Sequence, residues 1–169
     1  MNRLSITSAI CALFASMVLT TTGPLFAQDY SEIVSEEMLR EIFVFEEGAA
    51  LKYSACEELT HPSCVYIWGE PSKRDTTRVN LGLRPEGSKL MVIFAQAEGM
   101  KDFDRSISVY PDAGAVADLG VRSVWSPVRQ QLSLITDGNL IIHVNIEDEN
   151  NEDPKAAAIA VAIRVLKGL

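Results

Sequence analysis

The sequence predicts an α+β fold, an antiparallel sheet of about six strands with N-terminal and C-terminal helices packed on it. Three observations predict it. Alternating or β-branched runs recur at residues 64–68, 76–83, 90–95, 122–125, 131–136 and 139–146. These runs fall into two groups of three, each turning at a glycine (Gly87, Gly138) into its most apolar member. Segments with helical spacing precede, divide and follow the groups, an order that packs helices on one sheet.

The N-terminal segment stands apart from that fold. Met1, Asn2 and Arg3 form a short basic start, and an apolar run from Leu4 to Leu19 follows, broken only by Ser and Thr. Gly23 and Pro24 end any helix, and Leu25-Phe26-Ala27 sets a small residue before Gln28. The pattern reads as a secretory signal peptide over residues 1–27, with cleavage after Gly23 and a retained anchor as the alternatives. The run is shorter than the ~20 residues a spanning helix needs. Cys11 lacks the small residue that a lipid-attachment site wants before it, so it belongs to the discarded segment. The remaining residues, 28–169, form one α+β domain with no membrane span.

Of the 169 residues, 47% are hydrophobic and 22% charged, and the formal net charge is −8. Residues 1–27 hold one base, Arg3, and no acid, so their removal leaves 142 residues and a charge of −9. Phosphates need a basic surface, so the balance argues against nucleic acid as a partner. An exported domain with two cysteines, Cys56 and Cys64, has one available connectivity, and a structural disulfide is expected. Periplasmic or secreted localisation follows.

Along the domain, Ser35 is placed to cap a helix whose first turn carries Glu36 and Glu37. Leu39, Ile42 and Phe43 share its inner face. Gly69 and Pro71 stop the strand at residues 64–68. Residues 90–95 are apolar on both faces, as in a central strand. Met100, Phe103 and Ile107 are spaced as on a short helix. Asp137-Gly138 suits a two-residue type I′ turn between the strands at 131–136 and 139–146. Asp153 and Pro154 start a final helix, with Ile159, Ile163 and Leu166 as its stripe, widened by Val161 and Val165. Its many alanines allow close approach to a sheet. The layout suits either a duplicated α-βββ unit or chance alternation.

Chemistry-bearing patterns are few. The chain has no Gly-x-Ser-x-Gly elbow, no Gly-rich phosphate loop and no His-Glu-x-x-His. No catalytic, cofactor-binding or metal-ligating residue is assigned, no cofactor is expected, and the protein is read as not an enzyme. The acidic run 147–153 lacks the spacing of a calcium loop and reads as a solvated connector ending in a helix cap. Tyr66, Trp68, Trp125 and His143 are the candidate binding face, with core packing as the rival reading of the aromatics. His143 is either solvated or buried and hydrogen-bonded. His61 reads as an exposed turn residue.

Several segments carry a resemblance: residues 35–43, Cys64-Val65-Tyr66-Ile67-Trp68, Leu119-Gly120-Val121-Arg122-Ser123-Val124-Trp125, the Asp137-Gly138 hairpin and residues 156–166. The chain resembles small exported bacterial α+β domains of unknown function, many of them lipoproteins. It departs in lacking a lipobox and in having Val121 where the family often carries Asp. The resemblance implies a binding or sensor-type domain and assigns no catalytic residue.

Two functions therefore stand as expectations. One is an exported, non-catalytic protein that binds another protein or a small apolar ligand. The other is an acidic periplasmic inhibitor of a cationic, lysozyme-like hydrolase, steered by its charge and presenting Glu57 and Glu58 on the disulfide-bounded turn.

Overall fold

Two short helices open the described part of the chain. The computed structural model describes residues 29–45, 51–57, 61–69, 87–148 and 150–169. The expected leader and the expected strand at 76–83 lie outside these residues. In α1 (Tyr30–Ile33) the Asp29 carboxylate caps the helix by accepting from Ser31 N at 2.9 Å. In α2 (Glu36–Ile42) Ser35 Oγ accepts from Met38 N at 3.2 Å, as its position before two glutamates predicts. Met38, Leu39 and, just past the helix, Phe43 are buried.

Among the described residues seven strands then form one antiparallel sheet, five of them at predicted positions and two of them not predicted. They are β1 (Leu51–Glu57), β2 (Ser63–Trp68), β3 (Ser88–Gln96), β4 (Gly114–Val116), β5 (Arg122–Ser126), β6 (Gln131–Ile135) and β7 (Leu140–Glu147). Their order is β1-β2-β3-β7-β6-β5-β4, so the two strand groups meet at the central β3–β7 pair. β1 and β4 are the additions. β1 is held by pairing with β2, where Cys56 and Cys64 stand directly opposite each other and are disulfide-bonded as expected. β4 is three small residues pairing with β5, too short and weakly patterned to read as a strand alone. Consequently β2 and β5 are flanked on both sides, and Trp68 and Trp125 are not on edge strands.

The sheet buries both faces unequally. On the first face Cys64, Tyr66, Trp68, Leu90, Val92, Phe94, Leu132, Leu134, Trp125, Ile142, Val144 and Ile146 pack with α1, α2 and the last helix, α4 (Pro154–Gly168). On the second face α3 (Met100–Ile107) seats Phe103 against Val124, Ile135 and Ile141. The middle helix therefore lies on the opposite side of the sheet from α2.

α4 starts where the sequence places it: Asp153 Oδ1 accepts from Ala156 N at 2.9 Å and Pro154 opens the first turn. Its inner face differs from the expected isoleucine stripe. Ala157, Ala158, Val161, Ala162 and Val165 are buried, whereas Ile159 and Leu166 are half-buried and Ile163 is 40% exposed. Small residues let the helix axis approach the sheet closely, so the longer side chains are displaced to the flanks.

The β6–β7 hairpin also departs from expectation. Neither Asp137 nor Gly138 has a positive φ; Asn139 does, at 59°. Asn139 N donates to Thr136 O at 3.1 Å and Thr136 N donates to Leu140 O at 2.9 Å. The loop is thus three residues long, a tight turn followed by one left-handed residue rather than a two-residue type I′ turn. Asn tolerates that conformation, and Thr136 Oγ1 accepts Leu140 N while Asp137 Oδ1 accepts Gly138 N, which holds the alternative in place.

Candidate functional site

A concave feature lies at one end of the sheet's first face. Its floor is apolar: Tyr30 from α1, Pro62 before β2, Phe94 from β3, Leu140 from β7, and Leu166 and Leu169 from the end of α4. Its rim is Gln96, Thr136, Asp137 and Gly138, and its volume is about 320 Å³. Cavities of this size with apolar walls and a few polar groups are the usual form of small-molecule sites.

Local packing fixes the walls. The Tyr30 and Phe94 rings stack, with centroids 3.9 Å apart and planes 21° from parallel. Burial pushes the Tyr30 phenol above its ordinary pKa. Pro62 O accepts from Phe94 N at 2.8 Å, which binds the segment before β2 to the end of β3. Gln96 Nε2 donates to Gly138 O at 3.3 Å and ties the rim of β3 to the hairpin. Among the described residues no lysine, arginine or histidine lines the pocket.

A second feature occupies the other face. Ser133 Oγ lies 2.8 Å and Gln131 Nε2 3.2 Å from His143 Nδ1, and the same amide nitrogen lies 3.0 Å from the Tyr110 hydroxyl. An amide nitrogen only donates, so Nδ1 is the acceptor and the neutral ring carries its proton on Nε2. Burial, with a smaller contribution from His61, pushes the His143 pKa down to about 4. Ser133 is 1% exposed, so its hydroxyl anchors the imidazole and is not presented to a substrate. Next to this row an open groove of about 530 Å³ runs between Met91, Tyr110, Gln131 and Asn145, flanked by the exposed Val109 and Val128.

The structure does not bring the four residues of the sequence-derived binding face together. Tyr66, Trp68 and Trp125 are all buried in the first-face core, where the Tyr66 hydroxyl donates to Val34 O and the Trp68 ring packs on Phe43 and Phe45. His143 lies on the second face, half-buried and hydrogen-bonded. His61 is exposed beside Pro62. In the acidic run, Asp148 is not solvated: it is buried and accepts from Ser88 Oγ at 2.7 Å and Asn150 N at 3.1 Å, closing the end of β7 onto β3. Pocket residues that sequence reasoning did not single out are Tyr30, Phe94, Leu140 and Leu169. They come from separate elements, and their only individual signal is the apolar face each shares with its own element.

Comparison with protein-family models, curated proteins and solved structures gives no match to this chain.

Proposed function

We propose that this is an exported binding or sensor-type protein that holds a small, largely apolar ligand in the pocket at the end of the sheet, without transforming it. The observation that carries this reading is the pocket itself: an apolar floor drawn from both helical ends of the domain beneath a short polar rim. The Cys56–Cys64 disulfide supports an oxidising compartment, and no described helix is long and apolar enough to cross a membrane. The leader over residues 1–27 supplies the route.

Native mass spectrometry of the protein recovered from the periplasm, followed by calorimetric titration with octanol, tests the reading. Gln96→Trp is the control, because Gln96 is exposed at the rim and its replacement obstructs the mouth without entering the core. Saturable binding lost in Gln96→Trp is expected. No co-purifying ligand and no octanol binding would refute it.

A second reading, inhibition of a cationic hydrolase, draws on Glu57, which is exposed and fixed next to the disulfide opposite Ser63. Salt-sensitive inhibition weakened by Glu57→Gln supports it, and unaltered hydrolase activity at saturating protein removes it.

A further inference from the structure

The rim of the pocket carries information about its occupant. Three features set the electrostatics there. The first is Asp137, whose carboxylate is exposed at the mouth and uses Oδ1 to accept from Gly138 N. The second is the end of α4, a 15-residue helix whose last turn supplies Leu166 to the wall and is followed there by Leu169. Carbonyl groups at a helix C-terminus carry partial negative charge and attract cations. The third is the lining itself, which among the described residues contains no basic side chain. The one side-chain amide at the rim, Gln96 Nε2, is turned to carbonyl oxygens of the hairpin and of its own strand end.

From this charge pattern we infer that the pocket selects apolar molecules with a cationic head group, the alkyl part on Phe94, Leu140 and Leu166 and the head at Asp137. The inference rests on the pocket being the binding site and adds the chemical class of what it takes. An anionic amphiphile of the same length meets a carboxylate and a helix C-terminus whose last-turn base, Lys167, is exposed to solvent and is not one of the described lining residues. A neutral alcohol fits the floor but leaves the carboxylate unused. The net negative charge of the chain adds in the same direction at long range.

The test compares octyltrimethylammonium, octanol and octanoate by calorimetry on the periplasm-purified protein, below their aggregation concentrations. An exposed carboxylate is a modest partner, so the expected order is the ammonium about threefold to tenfold tighter than octanol. Octanoate is expected to be weaker than octanol. Asp137→Asn, a change at the exposed turn, should bring the ammonium affinity down to that of octanol. Octanoate binding as tightly as the ammonium, or a preference that survives Asp137→Asn, overturns the charge inference while the pocket reading stands. If none of the three binds, both fall. Raising salt should weaken the ammonium alone, and a uniform weakening of all three would also count against the inference.

Discussion

His143 Nδ1 lies 2.8 Å from the Oγ of Ser133, the residue directly across from it in the β6–β7 pair. The two side chains share the second face, where burial keeps the imidazole neutral. That pairing makes folding sensitive to mild acid. The pKa of His143 falls from an ordinary 6.5 to about 4 on folding, so the unfolded chain binds the proton more readily. Its contribution is intact above pH 6.5 and is lost as pH falls from 6.5 towards 4, to a limit of about 3 kcal/mol. Urea unfolding of wild type and His143→Gln across pH 4–7 measures this. The variant should show a flatter dependence between pH 5 and 6.5, and parallel curves would exclude the assignment.

At the β6–β7 loop the left-handed residue is Asn139, not Gly138. A Cβ on Gly138 meets nothing closer than Thr136 Oγ1 at 3.7 Å. Gly138→Ala should therefore change stability by no more than about 1 kcal/mol, in either direction. Asn139→Val should cost about 1–2 kcal/mol by forcing a β-branched residue to positive φ. The opposite ranking in urea midpoints would restore the type I′ turn.

Gly120 has φ 60°, and a Cβ there would lie 2.5 Å from Ile135 O, a backbone atom of a buried strand. Both conformation and space exclude a side chain. Gly120→Ala is expected to lose about 2 kcal/mol or more, with a lowered thermal midpoint. A wild-type midpoint would show that the β5 approach can relax.

For α4, the identity of the inner face is testable by contrast. Ala162 is fully buried and Ile163 is largely outside. Ala162→Leu should cost about 1–3 kcal/mol by pushing the helix off the sheet, whereas Ile163→Ser should stay within about 0.5 kcal/mol. If Ile163→Ser proves the more damaging of the two, the isoleucine stripe is the inner face after all.

Replacing Cys56 and Cys64 together by Ala should lower stability by about 2–3 kcal/mol, since the bond closes only a short hairpin loop in the unfolded chain. Chemical unfolding of the double variant against the oxidised protein gives the value. An unchanged midpoint would make the bond incidental to stability.

Local chemistry made much of the fold legible. Ser35 and Asp153 announced their helices because a cap is decided by one residue and its next turn. β3 was readable from its unbroken apolar run, and β7 from alternation, with Leu140, Ile142, Val144 and Ile146 on one side and His143 and Asn145 on the other. β1 and β4 were not, because partners rather than composition hold them: a disulfide and β2 in one case, β5 in the other. Helical spacing identified α4 but misjudged which stripe faces in, since periodicity reports a helix and not the distance at which it packs. The candidate site was the least legible. Tyr30, Phe94, Asp137 and Leu166 lie far apart in sequence, and each has an ordinary local explanation.

The walls of the pocket belong to opposite ends of the described chain: Tyr30 stands in the first helix, Leu166 in the last. An occupant touching both would act as a clasp, reinforcing the direct contact that Ile33 of α1 makes beside Gly168 of α4. Peeling either helix away would then require the guest to leave first. Occupancy would thus be broadcast as the attachment of the domain's two ends.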